Sequence, residues 1–156
     1  MSLSPIETRL AELGLTLPDA PAPAANYVPF VVSGGMVWIA GQISRQADGS
    51  LITGKLGAEL DVAQGAAAAQ TCALAILAQL KTAVGGDWSR VARAVKLTGF
   101  VNSTPDFIDQ PKVINGASDL LVAVLGDGGR HARSAVSAGA LPLGVAVEVD
   151  AVFELK

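Results

Sequence analysis

The chain has 156 residues, 51% of them apolar and 16% charged, with a formal net charge of −3. That length suits one domain with a substantial core and is short for two, and the sparse charge suggests surface covered in an oligomer. The acidic balance, with no run of Lys or Arg, excludes the electrostatic footprint of a nucleic-acid binder.

Residues 4–15 read as a short amphipathic helix, with Ile6, Leu10 and Leu13 on one side and Gly14 as its stop. Glu7 and the lack of a long apolar core argue against a signal peptide. No stretch reads as long enough to span a bilayer, so a soluble, cytoplasmic protein without membrane contact is expected. Residues 18–23, rich in Pro and Ala, form an extended connector. A strand over 27–33, a turn at Ser33-Gly34-Gly35 and a strand over 36–40 make a hairpin. Gly41-Gln42 follows, where the chain must bend or approach something closely.

A polar loop over 45–57 leads to a long Ala-rich helix over about 59–84, stopped by Gly85-Gly86. Leu60, Ala63, Ala67, Leu74, Leu77 and Leu80 mark its core side. Cys72, the only cysteine, reads there as a buried, inert thiol, and its solitude excludes an intramolecular disulfide. Asp87 caps a short turn containing Trp88. Residues 91–101 alternate as a strand, Ser103 or Thr104 before Pro105 marks a helix start, and Pro111 restarts or kinks that helix. Leu120, Leu121, Val124 and Leu125 form its buried stripe and Gly126 ends it.

A glycine-rich loop over 127–131 ends at His131, the only histidine. One His and one Cys exclude a multi-ligand His/Cys metal site within the chain, and a Ser-His-Asp arrangement would have to be built around His131. Two strands follow, over 135–140 and 145–155. In the second, Val145, Val147, Val149, Ala151, Phe153 and Leu155 alternate with Ala146, Glu148, Asp150, Val152, Glu154 and Lys156. A period of two puts Glu148 on the face away from the helix layer. Arg133, at the strand start, can present a planar fork to a carboxylate or phosphate at the sheet's edge. The order strand-strand-helix-strand-helix-strand-strand specifies an α+β fold: one mixed β-sheet with two helices on one face. The other face, left open in a single chain, is expected to be covered by further copies.

Ala132-Arg133-Ser134, then Leu141-Pro142, then Val147-Glu148-Val149 resemble the signature of the RidA/YjgF family, also called endoribonuclease L-PSP or reactive-intermediate deaminases. The resemblance runs from about residue 26 to the C-terminus, leaving 1–25 as an N-terminal extension of a single domain spanning 1–156. Gly41-Gln42 fits the family's Ser-Gly-Gln segment with Ala40 in place of Ser, Tyr27 stands at the family's Tyr, and Asn115 matches the Asn of the second helix. The resemblance implies a chorismate-mutase-like fold of the bacillus type, a homotrimer with clefts between neighbouring subunits, and hydrolysis of enamines and imines to 2-keto acids and ammonia. No metal or organic cofactor is implied. On this chain Arg133 would hold the carboxylate of a small 2-imino or 2-keto acid, and Glu148 would act as general base toward water. Tyr27, Gly41, Asn115 and Ala135 would line the cleft. Ala135 stands where many deaminases of the family have Cys, which excludes a thiol mechanism there, and the loop over 109–112 is longer than in short members. Two other readings are a non-catalytic trimer that binds a small carboxylate and a ribonuclease; the charge balance and the single histidine weigh against the latter.

Overall fold

The computed structural model describes residues 2–22 and 25–156. Five strands, β1 (Phe30–Ser33), β2 (Met36–Ile43), β3 (Val91–Asn102), β4 (Ala132–Ala138) and β5 (Val147–Leu155), form one sheet in the order β1-β2-β5-β3-β4. β3 and β4 are parallel and the other neighbours antiparallel. Parallel neighbours need a long crossover, and helix α3 (Gln110–Leu125) supplies it. Helix α2 (Val62–Ala83) lies beside α3 on the same face, over β2 and β5. This is the α+β arrangement expected, with α1 (Pro5–Glu12) added at the margin of the helix layer.

The local signals explain most elements. Ser4 and Glu7 cap α1 reciprocally, and Asp61 and Gln64 do the same for α2. Gly34 and Gly35 take φ of 61° and 73°, the left-handed pair a two-residue hairpin loop needs. β1 starts at Phe30, three residues later than the expected strand, because Pro29 has no N–H to give a ladder; Tyr27 lies in a bend before it. β2 runs on through Gly41 to Ile43, with its register against β5 shifting between Ile39 and Gln42. The bend expected at Gly41 is thus a bulge within a strand.

The core face of α2 differs from the expected stripe. Ala63 and Ala67 are exposed, while Gly65, Ala68, Ala69, Cys72 and Ile76 are buried. Alanine on every side gives no hydrophobic contrast in this half of the helix, so period alone does not select a face. At 22 residues α2 is also long and apolar enough to cross a membrane by length and composition, which corrects the sequence reading. Its packing against the sheet and against α3 accounts for that composition as a core helix. The α2–α3 contact is very close: a Cβ at Gly116 would stand 1.9 Å from the Ala66 carbonyl oxygen. α3 begins at Gln110, not near Pro105, and Pro111 sits in its first turn, where no N–H is required.

The N-terminal segment is fastened down. Ile6 and Leu10 are buried, Lys81 Nζ pairs with Glu7 at 2.6 Å, and Arg9 Nε donates to the Ala123 carbonyl at 2.9 Å. Further on, Gln79, a buried amide of α2, donates to the Pro21 carbonyl at 2.7 Å. A buried amide left unpaired is costly, so this bond fixes where the chain leaves the helix layer.

Candidate active site

Two polar clusters account for the expected site residues. The first surrounds Glu148, on the sheet face away from the helices. β5 alternates strictly, so Val147 and Val149 are buried while Glu148 points outward, level with Ile43 on one neighbour and Phe100 on the other. A cleft of about 280 Å³ opens beside it, lined among others by Tyr27, Gly41, Arg45, Leu143 and Pro21. Gly41 is the close approach expected from sequence: any Cβ there would meet Glu148 Oε1. Partial burial raises the Glu148 carboxyl above the ordinary carboxylate range, and the charge of Asp150 raises it further. Asp150, on the same face, is itself raised by burial, with Thr98 and Lys96 opposing the shift.

The second cluster surrounds Arg133, the second residue of edge strand β4. Arg133 pairs with Leu97, which faces the helices, so its side chain lies on the helix face beside α3. Nη1 donates to Asn115 Oδ1 at 2.8 Å and to Ser118 Oγ at 3.2 Å. Asn115 and Ser118 are three apart on α3 and share a side of it. Ser118 Oγ lies 2.9 Å from His131 Nε2, and His131 Nδ1 lies 2.6 Å from the Gly129 carbonyl. A carbonyl only accepts, so Nδ1 carries a proton; in the neutral ring Nε2 then accepts from Ser118, and Ser118 accepts from Arg133. None of the hydrogen bonds among the described residues uses Nη2 or Nε of Arg133, and no described carboxylate pairs with it. The free edge of the fork suits a bidentate carboxylate. Ala135, two residues on and level with Gly99, flanks Arg133 on the helix face.

The expected residues therefore fall into two groups. Asn115 and Ala135 accompany Arg133, while Tyr27 and Gly41 accompany Glu148. Within one chain β3 stands between β4 and β5, and Arg133 and Glu148 occupy opposite faces of the sheet. Sequence reasoning missed Ser118 as the link to His131, although Asn115 and Ser118 have helical spacing. It also missed Arg45, Leu143 and the Pro21 wall in the Glu148 cleft. Leu143 has φ of 59° and is 68% exposed, a left-handed leucine whose side chain the loop holds toward the cleft mouth. Cys72 is buried, its thiol pushed far up by burial, and its Sγ faces the Val147 carbonyl at 3.5 Å, as expected of an inert thiol.

Residues 7–155 match the family described as "YjgF/chorismate mutase-like, putative endoribonuclease". Protein TCP17 of Trypanosoma cruzi is 50% identical over 152 residues, covering 97% of this chain and 94% of that protein. The crystal structure of Atu1372 from Agrobacterium tumefaciens is 48% identical with a TM-score of 0.89, covering 97% and 94% of the two chains. RidA from the Antarctic bacterium Psychrobacter sp. PAMC 21119 is 26% identical with a TM-score of 0.59, covering 87% of this chain and 94% of its own.

Proposed function

Because the chain belongs to the YjgF/chorismate-mutase-like family, we propose that it hydrolyses small reactive enamines and imines of the 2-aminoacrylate and 2-iminopropanoate kind to 2-keto acids and ammonia. The observation that carries this reading is Arg133, a guanidinium fixed at Nη1, with no carboxylate partner among the described residues and open along its other edge. Such a group binds a carboxylate in register, as the substrate of this reaction requires.

The chemistry asks little of the protein. The C2 carbon of a protonated imine is already electrophilic. Water attacks it as Glu148 takes one of the water's protons, giving a carbinolamine. Glu148 returns that proton to the nitrogen, ammonia leaves, and the hydroxyl oxygen becomes the keto oxygen by losing its proton to the Glu148 carboxylate, which releases it to solvent. Catalysis then consists of positioning and electrostatics, with a base whose raised pKa suits a proton that must go both ways. Ala135 contributes no thiol, and none of these steps uses one.

Arg133 and Glu148 act together only if the Arg133 edge of one copy meets the Glu148 cleft of another, so this reading includes a closed homotrimer with three shared sites. Support comes from the open sheet face, which carries Glu148 and Asp150 and on which Trp38 is 52% and Val136 46% exposed. The test is a coupled assay in which an amino-acid oxidase generates 2-iminopropanoate and imine decay is followed. Accelerated decay with the wild type, abolished in both Arg133→Ala and Glu148→Gln, supports the deaminase. Tight binding of the keto acid with no acceleration would replace it by the ligand-binding reading.

A further inference from the structure

The Glu148 cleft contains a cation that the proposed reaction leaves unused. Arg45 lies two residues past the end of β2 and lines the cleft with Tyr27 and Glu148. Its backbone is firmly held. Ser44, fully buried, donates its N–H to the Val147 carbonyl at 3.0 Å and its hydroxyl to the Ile52 carbonyl at 2.9 Å. The Arg45 N–H donates to Thr71 Oγ1 at 3.2 Å, and Arg45 bridges to Leu51 across the loop. Its Nη1 donates to the Gly49 carbonyl at 3.2 Å, which ties the guanidinium to its own loop without neutralising it. The ion pairs among the described residues involve Arg9, Lys81, Lys112 and Arg130, and none involves Arg45.

Arg45 is solvent-exposed, and the apolar part of the cleft lining includes Pro21, Ile43 and Leu143. A three-carbon imino acid needs one carboxylate anchor, the role given to Arg133. A second, solvent-exposed guanidinium at this cleft therefore has no use for that substrate. It does have one for a longer substrate with an acid at its far end, which Glu148 alone would repel. A positioned guanidinium converts that repulsion into a charge-assisted hydrogen bond.

We propose that Arg45 is a second anion subsite, and that this cleft selects 2-imino and 2-keto acids carrying a second carboxylate. The proposal rests on the reading of the cleft as an imino-acid site, and binding of stable keto acids separates the two. The experiment is calorimetric titration of the wild type, Arg45→Gln and Arg45→Lys with the five-carbon 2-keto diacid and the five-carbon 2-keto monoacid. The diacid is expected to bind the wild type about tenfold tighter, with the advantage lost in Arg45→Gln and partly kept in Arg45→Lys. Equal affinities in the wild type, an advantage that survives Arg45→Gln, or no binding of either acid would each overturn it. Failure of imine turnover with the binding preference intact would overturn the deaminase and leave the subsite standing.

Discussion

A Cβ added at Gly41 would stand 2.3 Å from Glu148 Oε1, so the bulge of β2 and the carboxylate of β5 meet with no room for a side chain between them. Because Oε1 is the free end of a flexible side chain, Gly41→Ala should displace the carboxylate rather than the backbone. The expected result is a kcat lower by about a hundredfold with a melting temperature within a few degrees of wild type. Unchanged kcat would show that the Glu148 position is not critical.

The Glu148 carboxyl is raised by burial first and by Asp150 second. A base must be ionised to act, so the acid limb of the kcat profile should lie above the ordinary carboxylate range. Asp150→Asn removes the second cause and should move the limb to lower pH. The limb staying in place, or moving up, would contradict this.

The same shift has a consequence for stability. A group whose folded pKa is raised contributes fully below its unfolded pKa and loses that contribution as pH rises through the folded value. Glu148→Gln should therefore gain stability relative to wild type at neutral pH, and the gain should fade as pH drops toward the ordinary glutamate range. Urea titrations at both pH values measure it; a gain that grows on acidification contradicts it.

Ser118 joins Arg133 to His131. Its removal should loosen the guanidinium and raise KM about tenfold, with a smaller effect on kcat. Because His131 acts on Arg133 through Ser118, His131→Ala added to Ser118→Ala should cost nothing further. Additive losses in that double-mutant cycle would place His131 in direct contact with substrate instead.

Gly116 reports on the helix layer. A Cβ there would stand 1.9 Å from the Ala66 carbonyl oxygen, which belongs to backbone and cannot rotate away. Gly116→Ala should lower the unfolding free energy by about 2–3 kcal/mol in urea titrations. A cost below about 0.5 kcal/mol would mean that α2 and α3 separate easily.

What the sequence made legible follows from contrast. β5 is readable because Glu148, Asp150 and Glu154 interrupt its apolar residues with a period of two. Gly41 is readable as a bend or close approach because a glycine directly after the strand predicted over 36–40 marks one or the other. α2 is misread where alanine lies on all sides, and α3 is started too early because two prolines offer equivalent boundaries. The outward face of Glu148 follows from the alternation of β5, but the face of Arg133 depends on pairing, because its partner Leu97 fixes it toward the helices. No local pattern encodes that register, nor the bond from Gln79 that carries Pro21 to the cleft.

Subunit mixing tests whether Arg133 of one copy works with Glu148 of another. Arg133→Ala and Glu148→Gln, each inactive alone, are unfolded together in equal amounts and refolded, with mixed trimers verified by native mass spectrometry. In a closed ring each mixed trimer regains one intact site of three, and random mixing should restore about one quarter of wild-type activity. Mixed trimers with no recovered activity would contradict the shared site.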